Sequence, residues 1–207
     1  MAELSYREVA PTERAAARCL TWFERYGVIG RQIPRLEGVS GGFSAVYPVL
    51  KAMEEQGKAR RGHFVEGLEG AQFALPGTVD RLRGHREPSG VDVVIAAADP
   101  ANPYGALLPW GPCSGTPKRA TGARVVLVDG QAALWVDKGG KRFLTLEAFG
   151  DPEVARRAVA AWVAAHDSHK TLTVRTLDGE GAKDSPHAGR FREAGFVEDY
   201  RGLLRVP

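Results

Sequence analysis

The chain is poor in cysteine: Cys19 and Cys113 are the only two, far apart and in different contexts. They form neither a CxxC pair nor a disulfide framework, so a reducing compartment is the expected setting. No apolar run approaches the ~20 residues that a membrane-spanning helix needs. Met1 is followed by AELSYREVAPTER, which has no cationic start and no apolar core, so no secretory signal is read there. A soluble, cytoplasmic protein is the expectation. Extreme charge is missing too. A formal net charge of +3 over 207 residues gives no general basic field, so any nucleic-acid contact has to come from a local cluster of cations. Internal repeats are absent. What remains is a globular balance, 43% hydrophobic and 26% charged, at a length that allows one large domain or two small ones.

The cations cluster in Lys58 to Arg83, KARRGHFVEGLEGAQFALPGTVDRLR. Upstream, Pro11-Thr12-Glu13 opens a helix, with Thr12 as its cap and Glu13 at the positive end of the dipole. Ala16, Leu20 and Phe23, with Trp22 nearby, form its apolar side, and Gly27 stops it. Val28 to Gly30 is a short extended piece, Arg31 to Glu37 a second helix, and residues 38–42 a glycine-rich turn. Phe43, Val46, Leu50 and Met53 then recur at helical spacing. Pro48 lies inside that pattern; it lacks an N–H and collides with the carbonyl four residues back, so this third helix is expected to start late, near Ser44. Such a start leaves the Ser40–Ser44 turn offering hydroxyls and backbone N–H groups at a helix N-terminus, a geometry suited to phosphate. Lys58 to Val65 reads as one wing strand and Ala71 to Leu75 as the other, before Pro76 begins a further helix. Three helices and a two-stranded ribbon outline a winged helix over residues 1–85.

HREPSG, residues 85–90, is a linker. Beyond it, over residues 91–207, the pattern is α+β. Val91 to Ala98 is an apolar run, DPANPYG a rigid double-proline turn, and Pro112 to Gly122 a loop. Strand-like runs at 123–128, 132–137 and 142–149 are joined by Asp129-Gly130 and Gly139-Gly140, both hairpin signals. Asp151-Pro152 starts a long helix, Lys170 to Leu177 is a further strand, Ser185-Pro186 opens a second helix, and Phe196 to Val206 closes as a strand. Mostly antiparallel strands with two helices suggest a partly closed, β-barrel-like sheet, which would cover its edges.

With these residues in view, the chain resembles the C-terminal region of the large helicase-related (Lhr) family of superfamily 2 DNA helicases. The resemblance is carried by RYGVIGRQ, EGVSGGFSAVYPVLKAMEEQGKARRGHFVEGLEGAQFALPGTVDRLR, AAADPANPYGALLPW and RFREAGFVEDYRGLLRVP. It implies a winged helix followed by a β-barrel-type module, a pair similar to that of AlkZ-type winged-helix DNA glycosylases. Neither a GxxxxGK[ST] loop nor a DExH motif is present, so ATP and Mg are expected for the parent helicase and no cofactor here. The catalytic glutamine motif of AlkZ-type enzymes is not recognisable; Gln72 is a lone glutamine on a wing strand. The implied partners are single-stranded or junction DNA and the helicase core of the same chain, with self-assembly into a homo-oligomer as a further role.

For DNA contact the candidate residues are Ser40, Ser44, Tyr47 and Lys51 on the third helix and Lys58, Arg60, Arg61 and His63 on the wing. Such cations neutralise phosphates and hold DNA without reading sequence. Against this stands a solvated, protein-binding winged helix. In the second half, Asp99 has the chemistry a glycosylase needs, a carboxylate near the sugar C1′ to stabilise a cationic transition state or activate water, and Asn102, Tyr104 and Trp110 are candidates for a base pocket. The DPxxPY order is similar to the water-activating loop of uracil-DNA glycosylases, with different spacing. The competing reading is that Asp99 and Asn102 make Asx turns before proline. His166 and His169 have metal-ligand spacing but no convincing third ligand, and no metal site is expected. Lys138, Lys141, Arg142, Arg156 and Arg157 read as solvated surface, and Trp135 and Trp162 as core.

Overall fold

The computed structural model describes residues 10–85, 87–166 and 169–207. Two compact units divide the chain, one ending at Glu87 and the other beginning at Pro88. In the first, α1 (Pro11–Tyr26) has proline at its first position, where a missing N–H costs nothing, and Glu13 in its first turn. Starting at Pro11 puts the cap position on Ala10, so Thr12 does not cap. The buried side of α1 is Cys19, Trp22 and Phe23, whereas Leu20 is 47% exposed. Gly27 (φ 73) ends the helix in a conformation that glycine adopts without strain. There follow β1 (Val28–Ile29), α2 (Gln32–Leu36), α3 (Gly42–Glu55), β2 (Arg60–Gly62), β3 (Gln72–Ala74) and α4 (Pro76–Gly84). The three strands form one antiparallel sheet in the order β1-β3-β2.

The helix α3 starts two residues before the expected Ser44 and runs through Pro48. Proline removes the donor for the Ser44 carbonyl, but Ser44 and Pro48 both lie on the exposed side, where water can take that place. The buried side, Val46, Leu50 and Met53, is the one the spacing predicted.

The second unit comprises β4 (Asp92–Ala96), β5 (Arg124–Val128), β6 (Gln131–Val136), β7 (Arg142–Thr145), a 3-10 turn (Glu147–Gly150), α5 (Pro152–Ala164), β8 (Leu172–Val174), β9 (Thr176–Leu177), β10 (Glu180–Gly181), α6 (Ala188–Glu193), β11 (Val197–Asp199) and β12 (Gly202–Arg205). Strands β4 to β7 form an antiparallel meander; β9 adds parallel to β7. One face of the meander buries Val126, Leu134, Val136 and Phe143 with Ala158, Val159 and Trp162 of α5 and Phe191 of α6. The other face buries Val125, Leu127, Trp135 and Leu144, with Tyr104, Trp110 and Cys113 packed over them. The sheet is therefore buried on both faces, by helices on one and by a long loop on the other.

The barrel-like sheet is not formed among the described residues. The strands make an open six-stranded sheet, order β10-β9-β7-β6-β5-β4, and a separate three-stranded sheet, order β11-β12-β8. The run expected as one strand over 170–177 divides at Arg175: β8 pairs with β12, while β9 pairs with β7 and β10. Likewise residues 196–206 are not one strand but the hairpin β11–β12, turned by Asp199, whose Oδ1 accepts from the Arg201 N–H at 2.9 Å. Strands that change partners in mid-run leave the large sheet with two free edges.

Candidate nucleic-acid interface

Helix α3 packs on β3 through three rings. Phe43 and Tyr47 centroids are 5.7 Å apart, and Phe73 lies 6.4 and 6.1 Å from them. With this side down, Ser44 and Lys51 are exposed, as is Ser40 in the preceding turn, and Tyr47 is half-buried. Arg61 is paired opposite Phe73 and so shares its face. Its Nε lies 3.3 Å from Glu54 Oε1, and its Nη1 donates to the Tyr47 hydroxyl at 3.4 Å. Lys51 Nζ lies 3.6 Å from Glu55 Oε1 one turn on. Both pairs are in solvent and hold their partners by no more than about 1 kcal/mol.

Arg60 is paired opposite Ala74, on the other face of the ribbon. Among the described residues Lys58, Arg60 and His63 are exposed and take part in no ion pair. The wing beyond them is built on Gln72, 1% exposed. Its Oε1 accepts from the N–H groups of Phe64 and Val65, both at 2.9 Å, and its Nε2 donates to the carbonyls of Val65 (2.9 Å) and Leu68 (2.8 Å). The tip carries Glu66 and Glu69, both exposed. Positive charge thus sits at the base of the wing and negative charge at its tip, so an anionic strand is attracted to one and repelled by the other.

The DPANPYG loop lies in the second unit. Asp99 is half-buried, and its Oδ1 accepts from the Ala101 N–H at 2.8 Å, an Asx turn. Asn102 is 1% exposed; its Nδ2 donates to the Ala97 carbonyl at 2.9 Å and its Oδ1 accepts from the Tyr104 N–H at 3.1 Å. Tyr104 and Trp110 stack at 6.2 Å, and the Tyr104 hydroxyl donates to the Gly130 carbonyl at 3.1 Å. Gly105 (φ 74) is needed beneath this stack, because a Cβ there would lie 2.3 Å from the Trp110 indole nitrogen. The loop is also gripped from outside. Arg119 donates to the carbonyls of Asn102 (2.6 Å), Tyr104 (3.1 Å), Asp99 (3.0 Å) and Ala98 (3.4 Å). Asn102, Tyr104 and Trp110 are accordingly fixed parts of a rigid turn, with Asp99 at its start.

Arg119 was not legible in the sequence, since a guanidinium that gathers carbonyls leaves no charge pattern. Arg157 differs from its expected solvated role. Its Nε and Nη2 donate to the Asp92 carboxylate at 3.1 and 2.6 Å, and its Nη1 donates to Asp129 Oδ2 at 2.6 Å. The Arg157 guanidinium holds the Asp129 carboxyl below its ordinary range, and Asp129 Oδ1 in turn accepts from Gly90 N–H at 2.7 Å and Ser89 Oγ at 3.1 Å. His166, half of the weighed metal pair, has Nδ1 2.7 Å from the Trp162 carbonyl.

Residues 8–94 match the winged-helix domain of the large helicase-related protein. Similarity extends well past that domain. The chain is 38% identical over 207 residues to a Mycolicibacterium smegmatis protein named "Lhr helicase/probable uracil glycosylase", a match covering 95% of this chain and 14% of that protein. It is 35% identical over 206 residues to the Escherichia coli "Lhr helicase/uracil glycosylase", covering 93% and 13% respectively. The chain belongs to the Lhr family. It corresponds to a C-terminal Lhr region and spans about one seventh of the length of these relatives. The base of the Lhr wing and the Asp99 turn lie in different units, and no described helix is long and apolar enough to cross a membrane.

Proposed function

We propose that this Lhr region is a DNA-binding accessory part of an ATP-dependent repair helicase, which holds single-stranded or junction DNA through phosphates. The carrying observation is the pair of exposed cations Lys58 and Arg60, without an ion-pair partner among the described residues, beside the exposed His63 on the wing base of a winged helix that bears the exposed Ser40 and Ser44 hydroxyls. Lys51, Arg61 and Tyr47 lend weaker support, because each is already engaged within the unit. ATP and magnesium act on the motor of the parent helicase in this reading. The test is fluorescence anisotropy of a labelled single strand over a salt series. Each phosphate contact contributes about 0.7 to the slope of log affinity against log salt. Lys58→Gln with Arg60→Gln is expected to lower that slope by about 1.4. No binding at low salt, or an unchanged slope, would overturn the reading.

A second reading, favoured by the relatives' printed names, is removal of uracil from DNA at the Asp99 turn. The Asp99 carboxylate would take a proton from water as its oxygen bonds to the sugar C1′, and the C1′–N1 bond would break to release the base, which is then protonated. Asp99→Asn is a clean probe, because an asparagine Oδ1 still accepts from the Ala101 N–H and the turn survives. Alkali-labile sites should form in uracil-containing strands with the unaltered chain and fall at least 100-fold with Asp99→Asn, the lower range of a general base's contribution. Equal cleavage by both removes Asp99 from the mechanism.

A further inference from the structure

A second cationic surface lies in the second unit, on a segment that neither reading above uses. Residues 114–123 fold over the β6–β7 hairpin and enclose with it a cleft of about 610 Å³. The fold-over is fixed by close contacts. The Trp135 Nε1–H donates to the Lys118 carbonyl at 3.0 Å. Gly115 sits so near Leu144 that a Cβ there would lie 2.8 Å from its Cδ2. Gly122 likewise approaches the Lys138 side chain, to 3.0 Å from such a Cβ.

The lining carries three cations against one carboxylate. Lys118, Lys138 and Arg142 are exposed at the cleft and have no ion-pair partner among the described residues. The one carboxylate of the lining, Asp137, has its Oδ1 occupied by the backbone N–H groups of Lys141 and Arg142, both at 3.0 Å. Hydroxyls of Ser114, Thr116 and Thr121 complete the rim. The Arg142 guanidinium carbon lies 5.8 Å from the centroid of the Trp135 ring, within reach of a cation–π contact. Unpaired cations, hydroxyls and a planar guanidinium suit phosphate and a stacked base together; an acidic peptide would use only the first. Clefts of about 300–1,000 Å³ take ligands of nucleotide size and above.

We propose that this cleft is a second strand-binding site, which holds a short stretch of single-stranded DNA by its phosphates on Lys118 and Lys138 and by a base on Arg142. It deepens the DNA-binding reading and rests on it, but uses none of the wing. The cleft also adjoins the Asp99 turn through the chain itself. Lys118 lines the cleft, and the next residue, Arg119, grips the carbonyls of Asp99 and Asn102. A strand laid in the cleft is thereby referred to the same segment that fixes Asp99.

Photocrosslinking of the unaltered chain to a single strand carrying 5-bromodeoxyuridine, mapped by mass spectrometry, tests this directly. Crosslinks within residues 114–142 are expected. In parallel, Lys118→Gln with Lys138→Gln should lower the salt slope by about 1.4 while the wing residues are intact. If the slope responds to wing substitutions alone and no crosslink falls within 114–142, the cleft proposal is overturned and the wing reading stands. If the chain binds no strand at low salt, both fall. If thymidine monophosphate binds the cleft as tightly as a ten-nucleotide strand, the site is for mononucleotides and the strand proposal is overturned.

Discussion

Gln72 and Asn102 are amides turned inward, each tying a loop to its own backbone. The Asx turn of Asn102 was one of the two readings of the sequence, whereas Gln72 stood there only as a lone polar residue on a strand. The reason is general: an amide offers a donor and an acceptor, and only the fold says which backbone groups it will meet. Replacing Gln72 by leucine leaves those wing N–H and C=O groups without partners. Urea unfolding should show a stability loss of about 2 kcal/mol, the scale of a buried polar group deprived of its bond. Thiol chemistry divides just as sharply. Burial pushes the Cys19 thiol up to about 11, and its side chain is fully enclosed. At pH 8 in native buffer, iodoacetamide should therefore label Cys113, which is half-buried, and spare Cys19 until the chain unfolds. Equal labelling rates would contradict this environment for Cys19.

Among the elements, the helices were the legible part. Apolar spacing and proline or glycine at their ends located α1, α3, α4 and α5 to within about two residues, as such boundaries allow. The apolar side of α1 was less well read, since Leu20 faces outward and Cys19 inward. Short strands were harder. A run of alternating residues says that a segment is extended, not with whom it pairs, and so the change of partner at Arg175 and the turn at Asp199 had no sequence signature. Helices α1 and α2 are joined by a polar tie: the Tyr26 hydroxyl and Arg25 Nη1 both donate to Glu37 Oε1 at 2.5 Å. The Tyr26 hydroxyl, and after it the Arg25 charge, holds the Glu37 carboxyl below its ordinary value. A carboxyl lowered by folding stabilises the native state above its unfolded value, about 4.3, and that contribution is lost as pH falls through the lowered native value. Stability of the first unit should thus fall on acidification from pH 5 to pH 3. Glu37→Gln should flatten that dependence in urea titrations at the two pH values. An unchanged slope would show that Glu37 does not carry it.

At the scale of the molecule, the winged helix was legible as a whole because its order of helices and ribbon is carried by local signals. The second unit was legible as α+β but not as two sheets. Its stability depends on pairings distant in sequence, with Arg157 as the main polar one, joining α5 to the start of β4 and the β5–β6 turn. Arg157→Met should lower the urea midpoint of the second unit and leave that of the first unmoved, as read by separate fluorescence phases; a common shift would mean the units unfold together. Charge predicts the binding face as well. Removing the acidic wing tip with Glu66→Gln and Glu69→Gln should tighten strand binding at low salt, opposite in sign to neutralising Lys58 and Arg60. Because Gln72 clamps the wing backbone at Phe64, Val65 and Leu68, the path of the loop does not depend on the exposed side chains of Glu66 and Glu69. A dye-bearing or photoreactive side chain at position 66 or 69 would turn the wing into a reporter without rebuilding the domain beneath it.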